Sequence, residues 1–296
     1  MFVWRYTLVP RRTLSALAGA RPRSGALIRV DDGVADVHPW PELGDAPLDE
    51  QLALLARGRT TPLTARSLAF ASLDARARVA GRSLFEGLSI PRSHWPGEDP
   101  PPEFDTVKLK SIDRVPPNVW LRIDFNAQLT PEQFIYMAEA LPRDRVDFVE
   151  DPCPYDGATW TALRETTGLR LALDRGVADE GVDVLVVKPA VQNPGGILGR
   201  VDGGVIPSRV DGEGSGGHKP EVVITSYMDH PIGQFFAAYV AALHGRGTHG
   251  LFTHVLYEPN AFIEAIRADG ARLLPPEGTG IGFDDLLEDL PWTRLA

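Results

Sequence analysis

The first candidates for chemistry are the polar residues of one otherwise apolar stretch. In "TVKLKSIDRVPPNVWLRIDFNAQ", Lys108 and Lys110 stand two apart, as do Arg122, Asp124 and Asn126. Side chains alternate across a β-strand, so each set shares one face. The pattern recurs downstream, where "VDFVED" closes on Glu150 and Asp151, "LRLALD" on Asp174 and "VLVVK" on Lys188. In each run the apolar residues lead and the ionisable group arrives late. Three carboxylates from three neighbouring strands suit a hard divalent cation, and Mg²⁺ prefers oxygen ligands while leaving positions open for substrate. Lysines flanking such a cluster disfavour one another's ammonium form, which makes a lysine a usable base near neutrality.

Taken one at a time, these residues have plainer readings. Asp174 alone is a helix cap or a loop ion pair. Lys188 alone is a solvated edge lysine or the imine-forming lysine of an aldolase. Arg122 with Asp124 is a structural salt bridge, and Glu150-Asp151 before Pro152 is a turn. The joint pattern weighs against all four, because five successive strand-like runs carry an ionisable group at the same end.

The elements that must position these groups fall into two textures. From the start, "FVWRYTLVP", "GALIRV" and "VADVHPW" read as strands, with a polar loop at residues 11–25 between the first two. Two helices follow, "DEQLALLARG" and "TARSLAFASLDARARVAG", each closing on glycine. This makes an α+β unit over residues 1–86. Beyond it, eight short strand-like runs recur: "LFEGLSI", "TVKLK", "VWLRIDF", "VDFVED", "LRLALD", "VDVLVVKP", "EVVITS" and "HGLFTH". The helices "TPEQFIYMAEAL" and "GATWTALRETTG" separate the third run from the fourth and the fourth from the fifth. Strands alternating with helices imply a parallel sheet with right-handed crossovers, and eight runs favour a closed barrel over residues 87–256. A charge inside a barrel is costly unless paired, so these groups belong at the C-terminal mouth, where such barrels build their sites. Several connections are too short for a helix; only 16 positions separate Lys108 from Asp124. The expected fold is therefore α/β, a modified TIM-type barrel with shortened or missing helices and an N-terminal α+β cap domain. A tail over residues 257–296, with the amphipathic stretch "NAFIEAIRADG", packs back on the cap.

Composition bounds the function. The chain has 296 residues, 43% of them hydrophobic, enough for a substantial core. A net charge of −10 argues against a nucleic-acid partner but not against an anionic small molecule, since a few lysines dominate one cleft. A single cysteine, Cys153, allows no internal disulfide. The opening residues lack a signal peptide's pattern, and no run reaches the roughly 18 apolar residues of a membrane helix. A cytoplasmic protein without a membrane partner is expected, with a monomer favoured. His230 either lines the mouth or sits in a loop. The glycines at 195–196 and 212–217 lack the lysine and serine or threonine of a phosphate-binding loop, so residues 203–220 read as flexible loop.

The ordered set Lys108-x-Lys110, Asp124, Glu150, Asp174, Lys188, with the tokens "VKLK", "LRIDFN", "RDRVDFVEDPC", "LALD", "VVKP" and "VITS", resembles the enolase superfamily, and within it the o-succinylbenzoate synthases. The resemblance implies that Asp124, Glu150 and Asp174 bind Mg²⁺, with Mn²⁺ as a possible substitute. It implies that Lys110 removes the proton α to the substrate carboxylate, with Lys108 assisting and Arg122 orienting the lysine pair. Asn126 falls on the family's asparagine. Lys188 would stabilise the enediolate from the opposite face. Thr225, Ser226 and the backbone near Gly250 would hold the succinyl end, and the loop at 11–25 would close over the site. The implied activity is a syn dehydration giving o-succinylbenzoate in menaquinone biosynthesis. The sequence departs from the family at Arg175, where a second acid is usual, and at Phe252, which replaces the usual Asp. The same residues would serve an N-acylamino acid racemase or a dipeptide epimerase, with Lys110 and Lys188 as opposed bases. A third possibility, suggested by the missing helices, is a non-catalytic scaffold barrel.

Overall fold

A computed structural model describes residues 1–14, 19–174, 176, 180–193 and 220–296. The cap begins with β1 (Phe2–Leu8), β2 (Arg23–Val30) and β3 (Gly33–Val37), paired antiparallel. In β1 the period of two sets Trp4, Tyr6 and Leu8 on one face, with Tyr6 and Leu8 buried, while Val3 is buried on the other. Helices α1 (Leu48–Ala56) and α2 (Pro62–Val79) follow, the second started by a capping box between Thr61 and Thr64. Helix α2 lies so close to β3 that a Cβ on Gly33 would stand 1.9 Å from the Ala71 carbonyl oxygen. Buried Asp74 of α2 accepts the amide hydrogens of Val34 at 2.8 Å and Ile281 at 2.6 Å, joining helix, sheet and C-terminal tail.

Six parallel strands in sequence order form the second sheet: β4 (Thr106–Leu109), β5 (Trp120–Asp124), β6 (Val146–Glu150), β7 (Leu171–Asp174), β8 (Val184–Val187) and β9 (Glu221–Ile224). Single parallel bridges close it into a ring. Trp95 pairs with Val107 and Ser93 with His249, while Gly250 pairs with Thr225. The first and eighth members of the barrel are therefore residues 93–95 and 249–250. This differs from the expected strands: "LFEGLSI" is a series of turns, and "HGLFTH" keeps only its two bridging residues before a 3-10 helix at Thr253–Leu256. Side-chain alternation separates two cores. Phe148, Ala172, Val184, Val186 and Val223 pack together inside the ring. Leu121, Ile123, Val149, Leu171 and Leu173 point outward beneath α3 (Pro131–Glu139) and α4 (Gly157–Thr167).

No helix connects β4 to β5, and none is present between β7 and β8 among the described residues. Trp120 is left 52% exposed where a covering helix is missing. After β9 the chain enters α5 (Pro231–His244), apolar on all sides because it lies between barrel and cap. Its Phe236 stacks on Phe70 of α2 at 4.5 Å. The cap is also tied to the barrel by the Trp40 indole N–H, which donates to the Tyr227 carbonyl at 2.8 Å. The tail forms α6 (Ala261–Glu264), a two-stranded ribbon of β10 (Ala268–Asp269) and β11 (Arg272–Leu273), α7 (Asp284–Glu288) and β12 (Thr293–Arg294). Strand β12 pairs with β1, so the cap sheet has the order β12-β1-β2-β3. The amphipathic stretch of the tail is thus helical for only four residues. None of the described helices is long and apolar enough to cross a membrane. The expected loop at 203–220 and the glycines at 195–196 lie outside the described residues, apart from Pro220.

Candidate active site

Lys108, Lys110, Asp124, Glu150, Asp174 and Lys188 converge at the C-terminal mouth. Asp124 and Glu150 are register partners on β5 and β6. The Lys108 ammonium lies between them, 2.6 and 2.7 Å from the two Glu150 carboxylate oxygens and 3.0 Å from Asp124 Oδ2. Lys110 reaches the same Asp124 oxygen at 3.5 Å. On the far side, Lys188 pairs with Asp174. Asn126, with a positive φ of 51°, donates its backbone N–H to Asp124 Oδ1 at 2.9 Å, fixing that carboxylate.

Sequence alternation turns Asp151 away from the mouth, but its φ of 43° brings it back. Its Oδ1 accepts the Asp174 backbone N–H at 3.1 Å. Strained backbone of this kind concentrates at functional sites. The mouth thus holds four carboxylates and three lysines. Burial pushes Glu150 up to about 7; Lys108 opposes this, while Asp124 and Asp174 reinforce it. Burial, with Asp174 and Glu150, drives Asp151 up to about 8. Burial alone would lower Lys108, but Asp124 and Glu150 hold it well above the ordinary lysine range. Lys110 moves the other way. Burial lowers it and, with the Lys108 and Lys188 charges adding to the effect, outweighs the opposing pull of Asp124 and Glu150.

This donor set fits a hard divalent cation. It consists of oxygen ligands only, it is buried, and it carries more negative charge than its lysines neutralise. As they stand, no three of the described acidic, His or Cys side chains close around one point. The Lys108 and Lys188 ammonium groups lie against the acids instead.

The remaining site candidates divide. Arg122 is buried, but its guanidinium points to the barrel floor, away from the lysines. It contacts Asp147 at 2.8 Å and the Thr248 carbonyl at 2.8 Å, and it stacks on Phe148. The reason is charge, since Asp147 is an acid one strand away that also pairs with Arg170 at 3.0 Å. Thr225 faces the interior beside Gly250. The next residue must face outward, and the Ser226 hydroxyl is spent on Thr253. Gly250 is a packing glycine, because a Cβ there would meet the Thr225 methyl at 2.6 Å and the His94 ring at 2.9 Å. Phe252 packs edge-on against Phe104 at 4.9 Å. His230 is neither in the mouth nor in a solvated loop. It caps α5 and lies under Tyr6, Trp4 and Phe262. His94 was not legible as a site residue, because "SHWPG" has no strand pattern, yet it lies inside the ring.

Comparison with known proteins is consistent with this geometry. Residues 1–77 match the family model for the N-terminal domain of O-succinylbenzoate synthase. An o-succinylbenzoate synthase from Bdellovibrio bacteriovorus is 32% identical over 338 aligned positions, covering 98% of this chain and 97% of the relative. Among solved structures, a dipeptide epimerase from Cytophaga hutchinsonii complexed with Mg and dipeptide D-Ala-L-Val superposes with a TM-score of 0.71 at 13% identity, covering 99% of this chain and 98% of that one. A dipeptide epimerase from Enterococcus faecalis complexed with Mg and dipeptide L-Leu-L-Tyr gives 0.69 at 16% identity, covering 95% and 97%. These two show the fold, a capped barrel. The long relative and the matched domain show the family: this chain belongs to the o-succinylbenzoate synthases, lyases of the enolase superfamily.

Proposed function

We propose that the chain dehydrates 2-succinyl-6-hydroxy-2,4-cyclohexadiene-1-carboxylate to o-succinylbenzoate, as a cytoplasmic enzyme of menaquinone biosynthesis. The observation that carries this reading is the opposite behaviour of two lysines on one strand face. Lys108 is locked as an ammonium between Asp124 and Glu150. Lys110, two residues on and held only at 3.5 Å, is pushed toward its neutral form. A neutral amine with a free pair is what proton abstraction from carbon needs.

Asp124, Glu150 and Asp174 would hold Mg²⁺, or Mn²⁺ in its place, which when bound supplies positive charge for the substrate carboxylate. Lys110 takes the proton from the carbon α to that carboxylate, and the electron pair of the C–H bond moves toward the carboxyl group. Lys188 enters from the other side of the acid cluster, where its ammonium offsets the developing negative charge. The pair then returns to form the ring double bond as the β-hydroxyl leaves. Lys110, now protonated and on the same face, gives its proton to that hydroxyl, so water departs and the ring becomes aromatic. Asn126 keeps Asp124 aimed inward throughout.

The test is turnover of the cyclohexadiene precursor by purified protein with Mg²⁺, followed as o-succinylbenzoate absorbance. No turnover, or full turnover by Lys110→Ala, would sink the reading. A second reading rests on Lys110 and Lys188, which directly follow β4 and β8: as opposed bases on one carbon they would also fit a racemase or epimerase of acylated amino acids or dipeptides. Deuterium incorporation into a panel of N-acyl amino acids and dipeptides, without elimination, separates the two.

A further inference from the structure

The acids occupy only one arc of the barrel wall. Strands β5, β6 and β7, between the lysines of β4 and β8, carry Asp124, Glu150 and Asp174. The other arc is made by β9 and the two bridging segments, and its inward groups are Thr225, Gly250 and His94. A substrate held through its reacting carboxylate on the acid side must present its other end to this arc.

His94 is 5% exposed, and its ring edge lies beside Gly250. Its Nδ1 stands 3.2 Å from Arg122 Nη1. A guanidinium has donors and no acceptor, so Nδ1 must accept, and the ring proton sits on Nε2. Burial, with Arg122 and Lys108 nearby, holds the imidazole well below its usual pKa, so the ring is neutral. Nε2–H therefore has one fixed role, as a donor, and no described residue accepts from it. On the same arc it is Thr225 Oγ1 that is buried without a partner. Buried polar atoms are rarely left unsatisfied, and each exception needs an explanation. Arg122 is itself immobilised by Asp147, Thr248 and Phe148.

We infer that His94 is a substrate-binding residue, donating from Nε2 to an oxygen of the succinyl arm, and that Arg122 is a positioning residue that fixes its tautomer. This rests on the proposed dehydration. It gives Arg122 a route to the substrate without contact to either lysine, and it gives Gly250 a reason to lack a side chain.

The test uses the full chain with Mg²⁺, reading o-succinylbenzoate affinity by calorimetry beside steady-state turnover. His94→Phe keeps a flat ring and removes the donor, whereas His94→Gln puts an amide N–H where Nε2 stood. Loss of a hydrogen bond to a charged acceptor predicts a roughly tenfold or greater rise in both the product Kd and KM for His94→Phe. An interaction equal in ground and transition states leaves kcat within about threefold. His94→Gln should recover most of the affinity, and benzoate, which lacks the arm, should bind wild type and His94→Phe alike. Unchanged affinity in His94→Phe, or equal losses in the two variants, overturns the inference. Should neither variant fold, ¹⁵N-histidine spectra of the wild type decide: a neutral Nε2–H ring that shifts on adding o-succinylbenzoate supports it, and absence of such a ring overturns it. A wild type that neither turns over the precursor nor binds the product takes the dehydration reading down as well. A wild type that does both while His94→Phe matches it removes the present inference alone.

Discussion

Replacing Asp229 by Asn should make the protein less sensitive to alkali, and the structure sets the size of the effect. Asp229 precedes α5 where the barrel meets the cap and is 2% exposed. Its Oδ2 and the Oδ2 of Asp36 on β3 both lie within 2.8 Å of the point where a Cβ on Gly233 would stand. Asp36 is partly satisfied, accepting from the Tyr6 hydroxyl at 2.6 Å and the His230 amide at 3.0 Å. Asp229 Oδ1 is buried without a partner. The groups facing this pair are Tyr6, His38, His230 and Tyr257, with Arg23 beyond, and no described cation pairs with either acid. Burial pushes Asp229 up to about 7 and raises Asp36 as well. An unfolded Asp titrates near 3.9. Between about pH 4 and 7 the unfolded chain thus releases a proton that the folded chain keeps, and stability falls as pH rises, levelling off above 7. At about 1.4 kcal/mol per pH unit, the part of this window between pH 5 and 8 amounts to about 3 kcal/mol. An amide at 229 has no such slope. From pH 5 to pH 8, wild type should lose about 3 kcal/mol more than Asp229→Asn, or roughly 5 to 10 °C in Tm. Thermal and urea unfolding at the two pH values measure it. Parallel pH profiles for the two proteins would refute the reasoning.

Lys110→Ala should lower turnover by roughly 10²- to 10⁴-fold, the usual range for a general base, while leaving calorimetric Mg²⁺ affinity unchanged. Lys188→Met removes a charge aimed at the developing anion, so kcat should fall by about 10²–10³. Proton exchange at the α-carbon, read by deuterium incorporation, should slow with it. Chelation should abolish turnover and lower Tm, and added Mg²⁺ should restore both, with the Tm gain following RT ln(1 + [L]/Kd). Gly33→Ala forces a Cβ into the Ala71 carbonyl and should cost about 1–3 kcal/mol or more in urea unfolding without changing the pH profile of turnover.

Features that depend on local spacing could be read directly from the order of residues. Alternation at 108 and 110, and at 122, 124 and 126, is a property of any extended chain, so the facing groups were legible before their strands had neighbours. The helix start at Thr130-Pro131 was legible for the same reason, since a cap and its N3 partner lie within one turn, whereas α2 begins at Pro62, two residues before the start read at Thr64. Tertiary structure decided which distant groups met. Residues 93–95 close the barrel through a bridge on each side, which leaves no strand pattern to read. Asp151 enters the acid cluster only because its backbone takes a positive φ. Arg122 faces the floor because Asp147, Thr248 and Phe148 converge there, and Ser226 is turned from the interior by its neighbour's orientation. Local periodicity specifies which way a side chain faces. Only the folded chain specifies what it faces, because those contacts depend on the approach of segments far apart in sequence.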